Sequence, residues 1–399
     1  MNTNNEFLSN DKELKIDLPD NTNNVEPTTS SPSSEQQVLN VNNDKILGEA
    51  MGNQFANTMA ENGFRPVLIF GAPASGKTTF LLSLIRYMLV GQNCDAQIRV
   101  CLESFPNEST GLKGEQKDLD RERWIAVKRY ANDLFNKHAT DFLQSNQIAP
   151  RTNVKFPFFL PIEITPKKEG LKPLKIAFLE GEGEWYRLNT NSESVSPHKS
   201  FKYEILAFLE TFEFPITSIY VAPYAIDGYE TNQDGISSRS APLVKERDFA
   251  LSGIIDQFEK ARSNQIGSDN YLYLLTKWDI RCGSISHPEF IYTDYSVVKN
   301  EIQNKFPISH NRFKNIREKQ VKVKGKIVNN SKKTVSAYCA GVLKYAVLSL
   351  PEESARTVDH YSRKLWNYFY FNATNQYLYS EFAPMKVGFF EKIINWIKK

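Results

Sequence analysis

Residues Gly71-Ala72-Pro73-Ala74-Ser75-Gly76-Lys77-Thr78 carry the spacing G-x-x-x-x-G-K-[ST] in full. That pattern suits one kind of chemistry, the holding of a nucleoside triphosphate. Glycines let successive backbone amides turn toward phosphate oxygens, and the helix that begins there adds the partial positive charge of its N-terminus. Lys77 reaches the β- and γ-phosphate oxygens, and the Thr78 hydroxyl ligates Mg²⁺. A plain glycine-containing turn is the competing reading. The flanking pattern argues against it, because an apolar run precedes the loop and TTFLLSLIRYML follows it.

Such a loop works only between a strand and a helix. Pro66 to Phe70 is a short buried-strand pattern, and the segment after Lys77 has helical length. Further strands are expected at Gln97 to Leu102, Ser218 to Ile226, Tyr271 to Leu275 and Thr334 to Cys339. An antiparallel hairpin is expected from Phe156 to Ile164 and Pro173 to Leu179, joined through Lys-Lys-Glu-Gly. Helical spacing marks Asp118 to Leu143, with Trp124, Val127, Tyr130 and Leu134 on one face. Phe201 to Thr211, Val244 to Arg262 and Ser296 to Lys305 are also helix-like. Alternation of the two element types predicts an α/β fold, a three-layer sandwich with a mostly parallel central sheet. No repeat of fixed period interrupts it.

Composition narrows the chemistry. The chain has 399 residues, 49 Lys+Arg against 46 Asp+Glu and 41% hydrophobic residues, enough to bury a large core. Its four cysteines form no C-x-x-C pair, and its five histidines never fall at i, i+4 spacing, so a disulfide framework and an ordinary zinc site are both disfavoured. No signal peptide and no apolar run of spanning length is visible, which gives a cytoplasmic expectation. The near-neutral total hides an asymmetry: residues 1–50 carry nine acids and three bases, leaving an excess of nine positive charges on the rest. The Asn-, Ser- and Thr-rich start predicts a disordered acidic tail over 1–48, a nucleotide-binding domain over 49–350, and a C-terminal helical appendage over 351–399.

Three further motifs stand in a telling order. The hairpin ends in Glu180-Gly181-Glu182-Gly183-Glu184, a later strand runs into Thr276-Lys277-Trp278-Asp279, and Ser336-Ala337 follows. With the phosphate loop they resemble the motif set of Ras-like P-loop GTPases. Inserted stretches at about 92–150 and 281–333, with a Gly-Glu pair after the carboxylate, look like the bacterial double-GTPase group. The resemblance implies GTP and Mg²⁺ as ligands, held by the loop from Gly71 through Ala74, Ser75, Gly76, Lys77, Thr78 and Thr79. It puts Glu180 near the metal where an Asp is usual, and makes the Gly183 amide the γ-phosphate sensor. Asp279 then reads guanine, with Thr276 and Lys277 beside it, and Ser336 and Ala337 contact the base through backbone. Thr152 becomes the switch threonine and Arg151 an arginine finger in cis. Glu184 stands where a water-orienting Gln is expected, so it positions or deprotonates water, or leaves turnover slow. Glu182 and Glu184 read equally as solvated loop acids.

Function is thus expected to be slow GTP hydrolysis coupled to a molecular switch. The alternatives are an ATP-binding P-loop ATPase, disfavoured because no apolar strand here ends in Asp-Glu, and a nucleotide-gated interaction module with negligible turnover. A protein partner is implied without being identified. Nine bases against one acid between Arg312 and Lys333 suggest an edge strand with a lysine face over Val321, Val323 and Ile327, either a guard against aggregation or an anionic contact surface. No aromatic interleaving supports nucleic acid. The closing segment, Phe389, Phe390, Ile393, Ile394 and Ile397 on one helical face, predicts a helix that docks on its own domain or lies on an anionic membrane.

Overall fold

Apolar runs too short for helices and bounded by turn residues become the strands of the sheet. The computed structural model describes residues 34–72, 75–90, 94–138, 156–180, 201–224, 241–265, 268–277, 295–318, 320–323, 326–329, 338–340 and 352–382. In chain order these form α1 (Ser34–Asn62), β1 (Arg65–Phe70), α2 (Lys77–Val90), β2 (Ala96–Val100), α3 (Glu115–Asp133), β3 (Phe158–Pro166) and β4 (Leu174–Glu180). Then come α4 (Tyr203–Thr211), β5 (Thr217–Pro223), α5 (Ala241–Ala261), β6 (Asn270–Thr276), α6 (Tyr295–Lys305) and α7 (Pro307–Glu318). The short strands β7 (Gln320–Val323), β8 (Lys326–Asn329) and β9 (Tyr338–Ala340) precede α8 (Glu352–Thr374).

The fold is α/β around a seven-stranded mixed sheet in the order β2-β3-β4-β1-β5-β6-β9. Among these strands only β3 runs against the rest, pairing antiparallel with both β2 and β4, while β4, β1, β5, β6 and β9 are mutually parallel. Strands β4, β1, β5 and β6 are buried on both faces, as continuous apolar runs such as Thr217–Pro223 require. On one face the Phe55 ring of α1 lies 5.0 Å from Phe159 of β3, and Phe258 of α5 lies 6.0 Å from Phe70 of β1. On the other, Trp366 of α8 meets Phe178 of β4 edge-on at 5.8 Å and donates its indole N–H to the Leu84 carbonyl of α2 at 3.0 Å. No helix among the described residues is long and apolar enough to cross a membrane.

The chain divides into two compact units, residues 1–42 and 43–399. Of the first, the described part is helical, residues 34–42. The expected tail therefore ends earlier than residue 48. Leu47, Met51, Phe55 and Met59 recur every fourth residue and are buried, so the Asn-rich stretch continues as helix. Helix α1 approaches α4 closely at Gly52, where a Cβ would overlap the Glu204 carbonyl and lie 2.9 Å from the Ala207 methyl. Beside it, Arg123 of α3 bridges Asp44 at 2.5 Å and Glu204 at 3.4 Å.

Two other expectations change. Helix α8 is no appendage: Leu365, Trp366, Phe369 and Tyr370 are buried in the main core. The lysine-rich segment is not an edge of the main sheet but a two-stranded antiparallel ribbon of its own, in which both strands are edges, with Lys322 level with Ile327 and Val323 level with Lys326. A helix the sequence reading passed over, α7, is fastened to α5 by Asp248, which accepts the Ile308 and Ser309 amides at 2.9 and 2.8 Å. Residues 1–33, and the closing amphipathic segment from Gly388, lie outside the described residues.

Candidate functional site

Because β4, β1, β5 and β6 are parallel, their C-terminal ends meet along one edge of the sheet. The last residue of β1, Phe70, is wedged among the rings of Phe201, Tyr220 and Phe258 at 5.5, 6.0 and 6.0 Å, which fixes where the following loop begins. Gly71 is buried against β5. A Cβ there would lie 2.7 Å from both the Ser75 hydroxyl and the Val221 carbonyl, so no other residue fits. The Ser75 amide donates to Ala72 O at 3.2 Å, Gly76 adopts φ +88°, and the Phe80 amide donates to Gly76 O at 2.9 Å as α2 begins.

Lys77, only 6% exposed, folds back over this turn. Its ammonium donates to the carbonyls of Gly71 at 3.0 Å and Ala72 at 3.2 Å. A full positive charge is thereby held inside the loop, at the N-terminus of a helix that carries no acidic residue in its first turn. Helix N-termini attract acids. Their absence leaves the field of α2 unopposed and directed at the loop. Thr78 and Thr79 follow in the same turn, both half-buried.

Across the edge, fully buried Thr276 ends β6. Its hydroxyl donates to the Ser75 carbonyl at 2.6 Å and lies 3.4 Å from the Ala222 carbonyl of β5. The Thr276 carbonyl accepts the Tyr224 amide at 2.9 Å, tying the ends of β5 and β6 together. Lys277 then turns the chain at φ +60° with its side chain 5% exposed. A non-glycine residue in that region is strained by about 1 kcal/mol or more, and such strain gathers at ligand sites. On the other side of β1, Leu179 is level with Leu68, so β4 ends with the Glu180 backbone level with Ile69, two residues before the loop begins.

The structure thus brings Gly71, Ser75, Gly76, Lys77, Thr78, Thr79, Thr276, Lys277 and the backbone of Glu180 to one edge. Ala74, Arg151, Thr152, Gly183, Glu184, Asp279, Ser336 and Ala337 lie outside the described residues, as does the Glu180 side chain. Strand β9 starts at Tyr338, later than expected, and runs parallel to β6. Ser336 and Ala337 therefore precede that strand in sequence, whereas Ala340 at its other end is level with Leu275, one residue before Thr276. Sequence reasoning missed Tyr224, buried at the end of β5 with the Lys305 ammonium 3.6 Å above its ring. An apolar strand ending in Pro-Tyr carries no motif that flags it. Neither a scan against protein-family models nor a search of curated proteins finds a match to this chain.

Proposed function

We propose that this protein binds GTP with Mg²⁺ through the loop from Gly71 to Thr79, hydrolyses it slowly and acts as a nucleotide-dependent switch of the Ras-like P-loop class. One observation carries the reading: two motifs recognised separately in the sequence meet at hydrogen-bond distance, the Thr276 hydroxyl on the Ser75 carbonyl. A loop start too crowded for a side chain at Gly71, an enclosed ammonium and an acid-free helix N-terminus fit a triphosphate in size and sign. The strand ending in Glu180 lies directly beside β1, as the three-layer plan of that class implies.

Lys77 offsets the charge that grows on the phosphate oxygens, its ammonium exchanging the Gly71 and Ala72 carbonyls that hold it inside the loop for those of the ligand. Thr78 is the residue to hold Mg²⁺, with Glu180 near it. When bound, the ion supplies further charge neutralisation at the β- and γ-phosphates. Thr276 keeps the loop in its turned form, and Asp279, three residues on, is assigned to the guanine edge. Glu184, in place of a water-orienting Gln, accounts for slow turnover.

Displacement of fluorescent nucleotide from the full chain tests this. GTP is expected to compete more strongly than ATP, and Lys77→Ala to remove binding. Tighter ATP binding refutes the role of Asp279, and unchanged affinity in Lys77→Ala refutes the loop. Phosphate release followed over hours measures the hydrolysis.

A further inference from the structure

At the end of β1 away from the phosphate loop, Arg65 opens onto a cavity of about 480 Å³. Lys172 and Lys175 stand at its rim where the chain enters β4, and Gln376 closes it beyond the end of α8. A second hollow of about 80 Å³ shares Arg65 and Ala373 with it and is lined by Val67, Ile176 and Phe369, with Asn372 beside them. Five residues of strand, Pro66 to Phe70, separate Arg65 from the loop, which puts the backbones of Arg65 and Gly71 about 20 Å apart at 3.3 Å per residue.

Charge is the first pointer to a ligand. Three cations line the outer cavity against one carboxylate, Glu163, and Arg99 already binds that carboxylate at 2.6 Å. Lys175 lies 5.6 Å over the Phe64 ring. The Arg65 guanidinium has no hydrogen bond or ion pair among the described residues. The second pointer is unspent hydrogen bonding: the buried Gln376 Oε1 lacks a partner, a state rare for buried polar atoms. The third is volume, which falls in the range of small-molecule sites.

A plainer account would have these cations answer the negative ends of α1 and α8. Those ends cap themselves. The Gly63 and Phe64 amides donate to Ala60 O and Met59 O at 3.3 and 2.9 Å, the Asn62 side-chain amide donates to Thr58 O at 2.9 Å, and the Asn375 amide donates to Phe371 O at 2.8 Å. Arg65 and Lys172 are left lining the cavity, with Lys175 beside them over the Phe64 ring.

We propose that this cavity binds a small organic phosphate. Arg65, with its planar fork, and the two lysines take the phosphate, and an aromatic or short aliphatic part enters the second hollow between Val67, Ile176 and Phe369. Gln376 accepts from a donor on the ligand. The site shares no residue with the phosphate loop and does not depend on the nucleotide reading.

Calorimetric titration of the full chain with phenyl phosphate tests the proposal. The parent and Lys77→Ala are expected to bind it alike, since the loop is not involved. Arg65→Met and Lys172→Ala are each expected to weaken binding about tenfold, the scale of one charge-assisted contact. Lys172 is exposed, so its variant reports on binding even if Arg65→Met fails to fold. The proposal is overturned if the parent does not bind at millimolar concentrations, if Lys77→Ala abolishes binding, or if Lys172→Ala leaves it unchanged.

Discussion

The hydroxyl of Thr276 donates to the carbonyl of Ser75 at 2.6 Å across 201 residues of sequence. Both groups are buried, so removing the donor leaves a carbonyl with a weaker supply of partners, a loss of about 1–3 kcal/mol. Thr276→Val, which keeps shape and drops the hydroxyl, is expected to cost that much in urea unfolding and to weaken nucleotide binding about tenfold. Thr276→Ser should restore both. Equal affinity in the valine variant would separate the contact from the loop's function.

Gly71 has two neighbours too close for a side chain, the Ser75 hydroxyl and the Val221 carbonyl, each 2.7 Å from an added Cβ. Gly71→Ala is expected to destabilise by about 1–3 kcal/mol, as overpacking does. Adding Ser75→Ala relieves only one clash, because the other belongs to the backbone of β5. The double variant should therefore regain less than half the loss, a ratio that thermal unfolding reads directly.

Arg262 and Asp269 form an ion pair at 2.8 Å with essentially no exposure. Arg262 also donates to the carbonyls of Leu209 at 3.1 Å and Phe214 at 2.9 Å, and to that of Phe212. Asp269 in turn accepts the Ile216 amide at 3.0 Å. The pair closes the sheet edge remote from the phosphate loop. Arg262→Met strands a buried carboxylate and should cost about 3–5 kcal/mol. Adding Asp269→Asn should recover part of that loss in the same denaturant titration, since a neutral amide is cheaper to bury than a charge.

Glu204 faces Arg123, Asp44 and Lys202 from three directions. Burial, the largest influence, lifts its carboxyl above the ordinary 4.5 despite its own backbone amide, Lys202 and Arg123, and Asp44 adds to the rise. A carboxyl that holds its proton more tightly when folded stabilises the fold below the unfolded value and loses that contribution as pH rises through the folded one. Glu204→Gln should remove this component. Parent stability is thus expected to fall relative to the variant as pH rises above 4.5, read by urea unfolding at a series of pH values. Parallel curves would contradict the burial argument.

Much of this fold can be read from local pattern. Pro66 to Phe70 stops at a glycine and gives way to helical spacing, which is why β1, the loop and α2 fall where expected, and the hairpin of β3 and β4 follows from two apolar runs around Lys-Lys-Glu-Gly. Helix α1 was half-hidden because Asn and Gln dilute its apolar face, although Leu47, Met51, Phe55 and Met59 keep the right spacing. Helix α7 was masked by its own charge: the bases drew the eye from Phe313 and Ile316, which are buried. The motif named Thr276 but not its acceptor, since partners 201 residues apart leave no periodic trace. The Arg262–Asp269 pair had no signal at all, being one base at a helix end and one acid before a strand.

Trp366 reaches the Leu84 carbonyl across 282 residues, and the helix that bears it follows every strand of the sheet in the chain. During synthesis, β1, α2 and β4 emerge long before the element that covers them, so their apolar face stays open until α8 leaves the ribosome. A product cut short before Glu352 would expose Phe178 and the outer side of α2 to water and to quality-control proteases. Helix α8 thereby closes a face of the core that the strands before it in the chain leave open.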